Sequence, residues 1–382
     1  MIINIYGSTG IIGKTALSII KKNFFNYRVN LLCAKNNFKL LAKQSKEFNV
    51  KYLYLDNKKF INKLKSLVPK DVKILEKVAL DDYLKSSKSD LSILSVAGYD
   101  SLKYLELILM NTDNIGIVSK EAVVSAGHIL SKISKKYNTK IIPLDSEHFS
   151  IYQNFNKINL QNNNFKKIYL TASGGPFLKR KFNNLAKVSF EEAANHPKWK
   201  MGYKNSIDSA TLVNKCLEVI EAHYLFDIPL KKLDVLIHPE SLVHSIIEEN
   251  NYISKMIYFQ NDMKIPLINF LNLQLKKTLP KVKKFNFIRE MKLTLNNVDE
   301  ENFPIYSYFK KLDKSNPCNL IKFNIGNEFA VDLFKQKKIK YIEIIQLIKE
   351  ITSLNIDSDV NNVDKILEYH ENLQQHILSN FI

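Results

Sequence analysis

A chain of 382 residues, 45% hydrophobic and 25% charged, can bury a substantial core and normally divides into two or three domains. Its 22 Phe and 18 Tyr argue against disorder, and three scattered cysteines, Cys33, Cys216 and Cys318, argue against a disulfide framework or a zinc cluster. A formal charge of +18 would suit nucleic acid, an acidic membrane face or phosphorylated small molecules. The lysines are spread along the whole chain, however, and no helical stretch sets a basic stripe among exposed aromatics. Neither a nucleic-acid partner nor a membrane is therefore expected. No apolar run is long enough to span a bilayer, and the chain opens at once on a strand-like segment, so a cytoplasmic protein is expected.

Over residues 1–143 short apolar runs alternate with amphipathic stretches. Strands are predicted at 2–6, 29–33, 52–55, 91–96, 115–118 and 141–143, with helices at 14–22, 38–48, 58–67, 101–110 and 121–137. That alternation predicts a mainly parallel sheet with right-handed crossovers and helices on both faces. Beyond residue 145 the rhythm changes, and strands at 165–172, 233–237 and 254–259 lie between helices. A lysine- and asparagine-rich stretch, 276–299, reads as a linker. After it, apolar residues at three- and four-residue spacing predict helices at 304–312, 326–336, 341–352 and 360–379. The fold class is thus α/β: an N-terminal Rossmann-like parallel sheet (1–144), an α+β domain (145–275), the linker, and a C-terminal helical bundle (300–382).

The first chemically loaded segment is Gly7-Ser8-Thr9-Gly10-Ile11-Ile12-Gly13, set between the first strand and the first helix. Glycines let the chain turn tightly and let a pyrophosphate approach the backbone, while the helix N-terminus supplies N–H groups and a positive dipole end. The spacing is G-x-x-G-x-x-G rather than G-x-G-x-x-G, so position carries more than pattern. An NAD site places an acid after the second strand, yet no Asp or Glu occurs from Asn26 through Lys46. Lys35, Asn36 and Lys39 stand there instead, which favours a 2′-phosphate and hence NADP(H).

Asp145-Ser146-Glu147 follows the last strand of the first domain, where ligands of open α/β sheets bind. In extended chain its two carboxylates point to one side and can share a hard cation. In Asp208–Glu218, Ser209 can cap a helix, and Asn214, Lys215 and Glu218 share one helical face. The segment joins a phosphate-type grip to a carboxylate able to complete a metal site. Ser173-Gly174-Gly175-Pro176 is a small turn suited to a phosphate, and residues 196–202, with the single Trp199, read as a lid.

In this order the segments resemble the 1-deoxy-D-xylulose 5-phosphate reductoisomerase family, which leads to 2-C-methyl-D-erythritol 4-phosphate in isoprenoid synthesis. The likeness runs nearly the whole chain, through Gly7–Gly13, Ser119-Lys120-Glu121, 144–148, 173–177, 196–202, 207–221 and 238–245. The resemblance implies NADPH and Mg2+ or Mn2+ as cofactors, a sugar phosphate substrate, and a homodimer whose 145–275 domain is both catalytic and dimerising. It implies a metal held by Asp145, Glu147 and Glu218, and substrate contacts from Lys120, Ser146, Glu147, Ser173, His196, Ser209, Asn214, Lys215 and Glu218. Of these, Lys120, Glu147 and His196 would be catalytic. Cofactor contacts would come from Thr9, Gly10, Ile11, Ile12, Ala34, Lys35, Asn36, Ser119, Glu121 and Gly202. Departures from the family pattern are Ile11 for Ser, Ala34 for Gly, Ser119 for Asn, Phe149 for Ser and Cys216 for Gly. Two other classes compete: a metal-free NADP-dependent dehydrogenase, and a basic nucleic-acid-binding protein.

Overall fold

The computed structural model describes residues 1–24, 26–155, 165–199, 202–275 and 292–381. The chain divides into two compact units. One comprises Met1–Ala122, Ser131–Phe149 and Asp262–Lys284, and the other Val123–Leu130, Ser150–Asn261 and Phe285–Ile382.

The first unit is built on β1 (Ile2–Tyr6), α1 (Ile11–Asn23), β2 (Arg28–Ala34), α2 (Phe38–Phe48), β3 (Tyr52–Leu55), α3 (Ile61–Lys65) and β4 (Lys73–Leu75). It continues through α4 (Lys77–Ser86), β5 (Ser89–Leu94), α5 (Leu102–Asn111), β6 (Thr112–Ile117), both ends of α6 (Lys120–Tyr137), whose Val123–Leu130 belong to the second unit, and β7 (Lys140–Pro143), and α7 (Ser146–Phe155) begins in it. All seven strands are parallel, in the order β4-β3-β2-β1-β5-β6-β7. With helices on both faces, both sets of strand side chains are hidden. Ile3, Ile5, Leu31, Leu32, Leu91, Ile93, Ile115 and Ile117 are all fully buried, which is why these strands read as continuous apolar runs. The order reverses at β1, so the loops after β2 and β5 flank the glycine loop, at the crevice where such sheets take ligands.

Three details differ from the sequence reading. β4 and α4 went unpredicted, because a three-residue edge strand is too short to show alternation. β6 starts at Thr112, its polar first half hydrogen-bonded by side chains: the Thr112 hydroxyl donates to the Ser89 carbonyl at 3.3 Å, and the Asn114 amide donates to that of Asp90 at 3.3 Å. Asp145 and Glu147 do not lie in extended chain. Asp145 precedes α7 and accepts the Glu147 amide N–H at 3.2 Å, so the two carboxylates are placed by a helix start.

Gly13 shows how tightly the first loop is built. A Cβ there would lie 2.5 Å from the Gly7 carbonyl oxygen and from Ser8 Cα, both backbone atoms that cannot yield without moving the turn. Gly13→Ala is therefore expected to lower stability by about 1–3 kcal/mol and to weaken dinucleotide binding more than tenfold. Thermal melts and cofactor titration check this, and native binding in a folded variant would show that the turn tolerates the shift.

The second unit carries β8 (Phe165–Ala172), α8 (Phe190–Ala194), α9 (Tyr203–Thr211), α10 (Val213–Phe226), β9 (Leu233–Ile237), β10 (Val243–Glu249) and β11 (Ser254–Tyr258). The next helix, α11 (Lys264–Leu271), belongs to the first unit, where the Tyr27 hydroxyl donates to the Leu271 carbonyl at 2.7 Å. Then come β12 (Asn296–Asn297), α12 (Pro304–Lys311), α13 (Pro317–Lys335), α14 (Glu343–Thr352) and α15 (Val363–Phe381). The sheet runs β11-β10-β8-β9-β12, with only β8 and β9 parallel.

β10 was not predicted, since buried His244 and Ser245 interrupt its apolar pattern; the Ser245 hydroxyl donates to that of Ser150 at 2.7 Å. Residues 276–291 of the expected linker lie outside the described residues, and Asn296–Asn297 pair with β9. α13 starts nine residues before the predicted 326, at Pro317, capped by the Asn316 side chain on Cys318 N at 2.9 Å. Buried Lys322, Asn324 and Asn327 hide its periodicity.

Candidate functional site

In the first unit the glycine loop leaves β1 with Gly7 at φ +86° and enters α1 through Gly10, an extended N-cap without a side-chain cap. The first-turn amides, including those of Ile11, Ile12 and Gly13, have no partner within the helix and can face an anion. Ile11 is half exposed, so the departure from Ser there leaves the backbone N–H available. Ala34 ends β2, and the Asn36 amide oxygen accepts from Asn57 at 2.8 Å. Lys35 reaches Asp100 at 2.5 Å.

The loops after β6 and β7 carry the second cluster. Ser119 sits at the N-cap position of α6 without a side-chain cap, its hydroxyl donating instead to the Val96 carbonyl. That tie joins the β5 and β6 loops, a bond a side chain of this size can make within its own unit. Lys120 opens α6, and its ammonium is paired with Asp145, both side chains 12% exposed. Glu121 is buried in the same first turn. The other Asp145 oxygen lies 3.2 Å from His148 Nδ1, and the Ser146 hydroxyl donates to Glu147 at 2.5 Å. Asp145 and Glu147 are both buried. His148, fully buried, orients the Asp145 carboxylate; its i,i+3 spacing from Asp145 is the signal sequence reading passed over.

In the second unit His196 organises a polar cluster. Its Nδ1 accepts the amide N–H groups of Lys198 (3.1 Å) and Trp199 (2.9 Å), so in the neutral ring Nε2 carries the proton. Nε2 lies 3.0 Å from the Ser173 hydroxyl and 3.1 Å from that of Ser209. Ser173 Oγ also accepts the Gly175 N–H at 3.2 Å, which leaves the serine hydrogens to point toward an anion. Gly175 sits at φ +66°, and a Cβ on it would lie 2.8 Å from Ala210 Cα, so this turn closes directly on α9.

Ser209 does not cap a helix. It lies in the last turn of α9, which stops at Leu212 in the left-handed region (φ 71°), and α10 starts from that same residue. The break turns one expected helix into two and places Asn214 and Lys215 in the first turn of α10. The expected face survives: the Asn214 amide donates to Glu218, and Lys215 Nζ lies 2.6 Å from the other Glu218 oxygen, with Glu218 and Lys215 both buried. Asp208, also buried, takes Lys204 at 2.9 Å and the Asn327 amide at 2.9 Å, anchoring α9 to α13. Gly202 is the N-cap of α9, with open space where a Cβ would be. Of the expected lid, residues 200–201 lie outside the described residues; the Trp199 ring lies edge-on to His244, centroids 6.2 Å apart.

Comparison with known proteins extends this geometry. Residues 3–127 match the family described as 1-deoxy-D-xylulose 5-phosphate reductoisomerase, residues 141–226 its C-terminal domain, and residues 260–376 the DXP reductoisomerase C-terminal domain. The chain is similar to the 1-deoxy-D-xylulose 5-phosphate reductoisomerase of Pelagibacter ubique, 38% identical over 90% of this chain and 88% of that one. It is 36% identical to that of a Wolbachia strain from Drosophila simulans, over 95% of this chain and 94% of its relative. Among solved structures it matches a DOX-P reductoisomerase in complex with NADPH, fosmidomycin and magnesium at 27% identity and a TM-score of 0.91, covering 100% of this chain and 99% of the other. The Zymomonas mobilis enzyme in complex with NADPH aligns at 28% identity and a TM-score of 0.88, covering 99% and 98%. Matches of this extent, over both units and every motif above, show that the chain belongs to the 1-deoxy-D-xylulose 5-phosphate reductoisomerase family.

Proposed function

We propose that the chain converts 1-deoxy-D-xylulose 5-phosphate to 2-C-methyl-D-erythritol 4-phosphate, using NADPH and a divalent metal, in non-mevalonate isoprenoid precursor synthesis. The observation that carries this reading is the pair of buried carboxylates, Asp145 and Glu147, at the carboxyl end of the sheet that also carries the glycine cradle. Such a pair, with Glu218 as the third acid, is an all-oxygen donor set that suits Mg2+ or Mn2+ rather than Zn2+. When bound, the cation supplies a Lewis acid and a template for the substrate's carbonyl and hydroxyl oxygens. NADPH, when bound, supplies the hydride.

The chain's own residues do the rest. The first-turn amides of α1, with Thr9, Gly10, Ile11 and Ile12, hold the pyrophosphate, and Ala34, Lys35 and Asn36 receive the adenosine ribose and its 2′-phosphate. Ser119, Glu121 and Gly202 are assigned to the remaining cofactor contacts. Ser173, Ser209, Asn214 and Lys215 hold the substrate phosphate, and His196, through its Nε2–H, orients both serine hydroxyls toward it. Lys120 steadies negative charge that develops on substrate oxygen, while Ser146 and Glu147 fix the substrate's hydroxyls.

The domain roles follow: 1–144 for NADPH, 145–275 for catalysis and dimerisation, 300–382 as a helical support. A homodimer in the cytoplasm is part of the same reading. Among the described residues no helix is long and apolar enough to cross a membrane, which by itself assigns no compartment. The test is NADPH oxidation with 1-deoxy-D-xylulose 5-phosphate, with and without added Mg2+ or Mn2+. Turnover should be lost on chelation and return with metal. Metal-independent reduction would point to an ordinary dehydrogenase.

A further inference from the structure

After β2 the chain places no acid where an NAD site would have one, but the fold brings an acid there from elsewhere. The β2 and β5 loops flank the glycine loop, and Lys35, just beyond β2, reaches Asp100, beyond β5, with Nζ 2.5 Å from Oδ2. Lys103 takes the other carboxylate oxygen at 2.7 Å. The lysine side chains are 62% and 37% exposed, that of Asp100 only 23%. One carboxylate therefore holds two solvent-facing ammonium groups at the mouth of the cradle.

We infer that Asp100 sets the cofactor selectivity of this chain by competing with the 2′-phosphate for Lys35 and Lys103 and by offering an acceptor to an unphosphorylated ribose. The inference rests on the assignment of the glycine loop to NADPH. Burial pushes the Asp100 carboxyl up, but Lys103 and Lys35 outweigh it and hold it below the usual carboxylate range, so it stays ionised at neutral pH. The three groups sum to one positive charge. A 2′-phosphate must draw Lys35 away from Asp100 and then sit beside a carboxylate that repels it. A ribose 2′-hydroxyl meets no such cost and can donate to that carboxylate, the contact by which an acid selects NAD. Asp100 thus narrows a preference for NADPH that the lysines create.

The test uses the full-length chain without substrate, titrated with NADPH and with NADH while nicotinamide fluorescence is followed. Asp100→Asn is expected to tighten NADPH and weaken NADH, raising the ratio of the two dissociation constants in favour of NADPH by about tenfold, less at high salt. Lys103→Gln should move the ratio the other way, because Asp100 then holds Lys35 alone. Weaker NADPH binding in Asp100→Asn would overturn the inference, since Asp100 would then be organising the lysines for the phosphate. So would an unmoved ratio in both variants. If the wild-type chain bound neither dinucleotide, the cofactor assignment itself would fall, and the inference with it.

Discussion

Glu218→Gln is expected to fold and to lose turnover by about a thousandfold, equivalent to roughly 4 kcal/mol of transition-state stabilisation. Glu218 is 1% exposed on α10, its carboxylate between the Asn214 amide and the Lys215 ammonium. Glutamine keeps the shape and one oxygen for Lys215, so the packing of α10 survives. The negative charge does not. Lys215, with a side chain 8% exposed, loses its ion pair with Glu218, and a melting temperature a few degrees lower should record that cost. The larger loss falls on the proposed cation, since a neutral amide is a poor third ligand beside Asp145 and Glu147. Mg2+ and Mn2+ titrations should therefore show weaker binding, and activity should recover in part at high metal. Full activity at limiting metal would remove Glu218 from the site.

Lys215→Ala should act differently, raising KM for the sugar phosphate roughly 10- to 100-fold while kcat falls much less. A buried ammonium that holds a phosphate binds ground and transition states alike, so its loss appears in KM. The short Lys215–Glu218 contact adds a second effect: without Lys215 the Glu218 carboxylate is less compensated, and metal affinity should not fall. Steady-state kinetics at saturating NADPH and metal separate the two. An unchanged KM with reduced kcat would mean that Lys215 serves only to orient Glu218. The serine cluster gives an independent comparison, because Ser173 and Ser209 meet His196 rather than Glu218.

How much of this was legible in the sequence depended on whether the signal was local. The parallel sheet was, because strands buried on both faces are predominantly apolar, and β2 and β5 place buried Ile, Leu or Val on both faces. The glycine loop was, because a tight turn and a close backbone approach both exclude side chains, as at Gly13, where a Cβ would lie 2.5 Å from backbone atoms. The face shared by Asn214, Lys215 and Glu218 was, because helical spacing alone brings them together. What failed locally failed where buried polar residues replaced apolar ones: His244 and Ser245 hid β10, and Lys322 and Asn324 hid the first half of α13.

By itself, then, the sequence determined the glycine turn and the parallel sheet, which are properties of neighbours along the chain, and it carried the family resemblance from which the candidate site residues were named. Only the tertiary structure decided how those residues are held. Asp145 and Glu147 sit at a helix start rather than in a strand, because an amide N–H finds the Asp145 carboxylate. Ser209 ends a helix instead of capping one, because Leu212 turns the backbone left-handed between α9 and α10. Ser173, His196 and Ser209 meet across more than thirty residues of chain. An acid absent from the chain after β2 meets Lys35 from beyond β5, since strand order rather than sequence order sets which loops face each other beside the glycine loop.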